Sequence, residues 1–93
     1  MYITITDVEK YLGIDSLKIG QELLLLKDLD NPYDDEAIKV ITENGATCGY
    51  VANSVEDVAR GSHSAGYIYN SIKNKHKCKV KFIIQDSAIV EFE

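Results

Sequence analysis

The sequence predicts a mostly β fold: a small barrel of five or six short strands, closed or nearly closed, with one or two brief helices. Three observations predict it. Tyr2-Ile3-Thr4-Ile5-Thr6 alternates polar and apolar positions with β-branched residues, as a half-buried strand does. An Asn44-Gly45 step separates two strand-like runs. Near the C-terminus, Lys77–Ile84 and Ala88–Phe92 form a closing hairpin across Gln85-Asp86-Ser87.

The elements follow in order. After the first strand, Leu17-Lys18-Ile19-Gly20 leads into Gln21–Lys27, whose leucine run suits a buried strand better than so short a helix. Asp28–Asp35 is a polar turn region around the only proline, Pro32. Ala37–Thr42 is a strand, and Asn44-Gly45 predicts a type I′ turn, in which both central residues need positive φ. Thr47–Val51 is its return strand. Ser54-Val55-Glu56-Asp57 has the form of a capping box, so a short helix is expected over about residues 54 to 60, with Gly61 as its stop. Gly61–Gly66 reads as a loop, and Ala65–Lys73 as a second short helix presenting Tyr67 and Tyr69.

A chain of 93 residues has room for one domain, taken as residues 1–93. With 45% apolar and 27% charged residues it is neither a disordered tail nor a collagen-like chain. Its longest apolar run, Leu23–Leu26, excludes a membrane-spanning helix, and the N-terminus lacks the basic start and apolar stretch of a signal peptide. The expected location is cytoplasmic. In a reducing compartment Cys48 and Cys78, which form no C-x-x-C and lie in apolar segments, are expected to be buried thiols.

Net charge is −5, the wrong sign for binding nucleic acid by bulk electrostatics. The total hides a split, because residues 1–60 carry −7 and residues 61–93 carry +2. All five lysines of the second part fall in Lys73–Lys81, and Lys75, Lys77, Lys79 and Lys81 are spaced by two. On a strand that spacing puts four ammonium groups on one face and His76, Cys78, Val80 and Phe82 on the other. Such a ladder is either a solvated face that protects a strand edge or a short track for a phosphate backbone.

The stretch from Gly20 to Val51 is the most specific. It carries Glu22-Leu23-Leu24-Leu25-Leu26-Lys27-Asp28, then Asn31-Pro32-Tyr33-Asp34, Ala37-Ile38-Lys39-Val40 and Gly49-Tyr50-Val51. In order and spacing it resembles the HIRAN domain family. The resemblance implies an OB-like six-stranded barrel and a DNA-binding module, often attached to helicase-like ATPases or nucleases, that holds the 3′-hydroxyl end of single-stranded DNA. Members that bind DNA ends place an arginine and a tyrosine just after the first strand. Here Tyr11 stands for the tyrosine, and Glu9 or Lys10 takes the place of the arginine. Where the family continues Gly-Tyr-Val into a proline-containing turn, this chain has Ala52-Asn53, and Tyr50 is either core or rim.

Physical chemistry allows two readings of Asn31-Pro32-Tyr33-Asp34. It is a good turn, with Pro32 presetting φ and Asn31 bonding its own backbone. It also sets an aromatic face beside a carboxylate. The ring can stack a terminal base, and the carboxylate can accept from a terminal hydroxyl while repelling a continuing phosphate.

Other chemistry is mostly excluded. His63 between Ser62 and Ser64 has no nucleophile-elbow context, and neighbouring residues cannot form a folded triad. An anion-binding backbone nest around Gly61–Ser64 is the alternative there, with His63 on a phosphate. A calcium loop starting at Asp28 would need glycine at 33 and glutamate at 39, where the chain has Tyr33 and Lys39. His63 and His76 do not form a zinc spacing with Cys48 and Cys78, and the glycines make no phosphate-cradling motif. No metal, cofactor or catalytic residue is expected.

The expected function is therefore a non-enzymatic module that recognises single-stranded DNA and its 3′-hydroxyl end. Tyr33 stacks the terminal base, Asp34 reads the hydroxyl, Asn31 positions both, and Tyr11 walls the slot. Tyr50 reaches the groove, and His63 or the Lys75–Lys81 ladder takes phosphates. A helicase or nuclease is a candidate partner protein, and no membrane is involved. The alternative is a protein-interaction or homo-oligomeric adaptor module that uses the acidic face around Asp28–Glu36.

Overall fold

A computed structural model describes all residues from Met1 to Glu93. Six antiparallel strands close into a barrel: β1 (Tyr2–Thr6), β2 (Glu22–Lys27), β3 (Ile38–Ile41), β4 (Thr47–Val51), β5 (His76–Ile84) and β6 (Ser87–Phe92). Around the barrel the order is β1-β4-β3-β2-β5-β6, with β6 paired back to β1. The expected small β-barrel with a short helix is the observed fold. No helix is long and apolar enough to cross a membrane.

The alternation of the strands creates the core. Ile3 and Ile5, Leu23 and Leu25, Ile38 and Val40, Cys78 and Val80, and Ala88 and Val90 all point inward and are buried. Each fully buried leucine or isoleucine contributes roughly 1.5–3 kcal/mol. Cys48 and Cys78 are free thiols in this core, and burial pushes them up to about 11 and about 12 respectively. The seam between β1 and β4 is short, with Ile5 opposite Val51 and Thr6 opposite Tyr50. Beyond it the chain after β4 fills the gap: Ala52 N–H donates to Thr4 O, and His63 bridges Ile3. Met1 and Phe92 exchange backbone hydrogen bonds of 2.9 Å, so the two chain ends lie together.

Four local expectations are corrected. The helix expected over 54 to 60 is a single turn, in which Asp57 and Val58 N–H both donate to Ser54 O. The next amide, Ala59 N–H, donates to the buried Thr4 hydroxyl instead, and this anchors the chain to β1. Val55, 93% exposed, gives a helix there no face to bury. The second helix is shorter than expected, with α1 at Ala65–Ile68 followed by a 3-10 turn at Tyr69–Ser71. The β3–β4 turn is not type I′, because only Gly45 has positive φ (+93°). Gly45 N–H donates to Thr42 O and Thr42 N–H to Ala46 O, the three-residue loop that a left-handed glycine closes. Finally, β5 begins at His76 and leaves Lys75 in a turn at φ +60°. A bulge between Val80 and Phe82 then turns Phe82 outward, to 56% exposure. Two unforeseen 3-10 turns, Val8–Lys10 and Ile14–Ser16, join β1 to β2.

Candidate nucleic-acid interface

The loop from β2 to β3 is built by its own side chains. Asn31 Oδ1 accepts from the amides of Tyr33 (2.9 Å) and Asp34 (3.1 Å), the local turn that an asparagine before a proline favours. Asp34 Oδ1 accepts from Glu36 N–H at 2.9 Å, and Asp28 N–H donates to Ala37 O where the loop rejoins β3. The result holds Tyr33 out in solvent, 94% exposed, beside a half-buried Asp34.

Bonds from Tyr50 and Asn53 tie this loop to the barrel. The Tyr50 hydroxyl donates to Asp28 Oδ2 at 2.7 Å, and the Asn31 amide donates to the same oxygen at 3.3 Å. The Tyr50 bond, with lesser help from Asn31 and the Lys39 charge, holds the Asp28 carboxyl below its ordinary 3.8, while partial burial opposes them. Burial, and then Asp28 itself, push the Tyr50 hydroxyl well above its usual range. On the other side Asn53 Nδ2 donates to Asp34 Oδ2 (3.2 Å) and Glu36 Oε1 (3.3 Å), while its Oδ1 accepts from Gly66 N–H.

Tyr11, Asn31, Tyr33, Asp34 and Tyr50 all line one cleft of about 650 Å³. The rings of Tyr11 and Tyr50 are 6.1 Å apart and tilted by 44°, so together they form one wall. Tyr50 is half-buried there and belongs to the rim. Of the two residues that take the place of the arginine, Lys10 lines the cleft and pairs with Asp7 at 3.4 Å. Glu9 turns its carboxylate to Ile14 N–H. Five carboxylates, those of Asp7, Asp28, Asp30, Asp34 and Asp57, share the cleft with Lys10 as its one cation.

The remaining predicted site residues lie elsewhere. His63 stacks on Tyr67 with ring centroids 4.4 Å apart, outside the cleft. Lys75, Lys77, Lys79 and Lys81 line a separate groove of about 640 Å³ along β5, together with Glu22, Glu91 and Glu93. Lys81 is paired with Glu91 at 3.4 Å. Sequence reasoning missed Asp28 and Asn53 as the fixed points of the cleft, since their partners Tyr50 and Asp34 lie 22 and 19 residues away.

The family model described as the HIRAN domain matches residues 2–87. Among solved structures, the crystal structure of the HIRAN domain of human HLTF matches with TM-score 0.67 and 23% identity, covering 97% of this chain and 69% of that one. A protein from Lactobacillus plantarum matches with TM-score 0.61 and 20% identity, covering 96% of this chain and 87% of that one. At these identities the structural likeness is one of fold. No curated protein matches the sequence.

Proposed function

The chain belongs to the HIRAN domain family, known as nucleic-acid-binding modules, and from that premise we propose that its cleft binds the 3′-hydroxyl end of single-stranded DNA. The observation that carries the reading is the convergence of Tyr11, Asn31, Tyr33, Asp34 and Tyr50 on that one cleft. Tyr33 is free to stack on the terminal base, a contact worth about 1–3 kcal/mol that every base can make. Tyr11 and Tyr50 line the same cleft as a second aromatic surface. Asp34 spends two acceptor positions on Glu36 and Asn53, and an ionised carboxylate has about four, so it keeps capacity for a terminal hydroxyl.

The acidic lining supports recognition of an end over an internal nucleotide. A phosphate on the 3′ oxygen would meet five carboxylates lining one cleft, whereas a free hydroxyl donates to one of them. The domain acts by binding, and no step of catalysis is assigned to it. Localisation to the cytoplasm and cooperation with a helicase or nuclease belong to the same proposal.

Fluorescence anisotropy with a short single strand, ended by a 3′-hydroxyl or a 3′-phosphate, tests the reading. Wild type is expected to prefer the hydroxyl, Asp34→Ala to lose that preference, and Tyr33→Ala to weaken binding about tenfold or more. A preference unchanged in Asp34→Ala excludes the role given to that carboxylate. The same lining favours one other reading, an adaptor or homo-oligomeric module whose acidic cleft takes a lysine- or arginine-bearing peptide. Tighter binding of a labelled oligolysine than of any DNA would select it.

A further inference from the structure

With Lys10 the only cation in the cleft, the phosphates behind a bound terminal nucleoside need positive charge elsewhere. The strand register shows where it lies. Tyr50 on β4 is the cross-strand partner of Lys39 on β3, and Lys39 that of Leu26 on β2. One row along, Leu24 on β2 is the partner of Lys77 on β5. Their strand neighbours Leu23, Leu25, Ile38, Val40 and Cys78 are buried inside the barrel. Side chains alternate along a strand, so Tyr50, Lys39, Leu26, Leu24 and Lys77 share the outer face. Adjacent strands are roughly 4.8 Å apart, which makes the passage from the cleft wall to β5 about 14 Å across the strands, with a shift of about 7 Å along β2 from Leu26 to Leu24.

The cations on this face are not equivalent. Lys39 and Lys77 have no ion pair, since the chain's two ion pairs are Lys10–Asp7 and Lys81–Glu91. Lys39 is half-buried, and its charge is felt by Asp28 at the inner side of the cleft. Lys79 is the register partner of both Glu22 and Glu91, and Lys81 is held by Glu91. The free positive charge therefore starts at the cleft and leads to the first part of β5. Between the two lysines Leu24 and Leu26 are half-buried and give the surface an apolar floor.

The geometry points to a phosphate track across the outer face of β3, β2 and β5, in which Lys39 takes the phosphate nearest the cleft and Lys77 one further back. A single strand with its 3′ end in the cleft would run over Leu26 and Leu24 toward β5 on its 5′ side. This inference rests on the end-binding reading and adds a direction, a footprint and a division of the lysines to it. Lys39 and Lys77 contact phosphate, while Lys81 is paired with Glu91 and Lys79 stands between Glu22 and Glu91 in the strand register.

The test uses 5′-labelled oligothymidylates of about 2, 4 and 8 nucleotides with free 3′-hydroxyls, titrated with the full chain between about 50 and 200 mM salt. Affinity is expected to rise up to about four nucleotides, the small end of OB-fold footprints, and then to level off. Lys39→Gln and Lys77→Gln should each weaken binding of the longest oligomer about tenfold and flatten the salt slope by about 0.7. Lys81→Gln should match wild type. Thermal melting of each variant checks that the fold is intact. If wild type binds the hydroxyl end but Lys39→Gln and Lys77→Gln behave like it, the track is wrong and the end-binding reading stands. Equal losses in Lys81→Gln overturn the track in favour of diffuse charge, and absence of any DNA binding overturns both.

Discussion

Asp28 is the residue on which most of the cleft turns, because one of its oxygens receives both the Tyr50 hydroxyl from β4 and the Asn31 amide from the loop. Those bonds favour the ionised form, so the folded-state pKa lies below the ordinary 3.8. The stabilisation they give is complete above about pH 5, where the carboxylate is charged in both states, and is lost progressively as pH falls from there through the depressed folded value. Chemical denaturation of wild type and Asp28→Asn at about pH 6 and pH 2.5 should show this. The variant should be less stable at the higher pH and should lose less of its stability on acidification. Equal acid losses would mean that the Tyr50 bond does not favour the charged form. The turn at Asn31 was legible in sequence because donor and acceptor lie within three residues. The bond from Tyr50 was not, since it depends on which strands become neighbours.

Among the elements, β4 owes its position to a glycine. A Cβ at Gly49 would lie 2.6 Å from Thr6 O and 2.7 Å from Ile5 Cγ2, both on β1, and backbone cannot swing aside as a long side chain can. Gly49→Ala should therefore destabilise the fold by about 1–3 kcal/mol and move Tyr50 with the strand. Urea unfolding measures the first effect; a stability within error of wild type would show that β1 and β4 part easily. Gly66 contrasts with it, since its nearest obstacle is the end of the exposed Glu36 side chain rather than backbone. The strands themselves were legible as alternating runs, and the barrel followed from their number and brevity. The helix expected near Ser54 failed because a cap signal competes with tertiary hydrogen bonds, and Thr4 claimed the Ala59 amide. The outward turn of Phe82 was hidden for a related reason, as a bulge shifts parity without leaving a mark in residue pattern.

Over the whole molecule, charge and reactivity are sorted by place. The acidic cleft and the lysine groove share no residue, so a net charge of −5 describes neither surface. The two thiols sit inside the barrel, with Cys48 Sγ directed at Val40 O and Cys78 Sγ at Leu23 O. Raised to about 11 and about 12, they carry almost no thiolate at neutral pH. A chromogenic disulfide reagent at about pH 8 should consume them only at the rate of unfolding, and rapidly once urea is added. Fast reaction of the native protein would place a thiol at the surface. Closure of the barrel between β1 and β6 has a further consequence. Because Met1 and Phe92 are hydrogen-bonded to each other, whatever precedes and whatever follows this fold leaves it at one point. The barrel can thus sit as a bead within a larger chain without forcing its flanks apart. A short bridge from Glu93 to Met1 would likewise allow the chain to be reopened at the exposed Gln85–Asp86 turn, on a ribbon remote in sequence from the cleft.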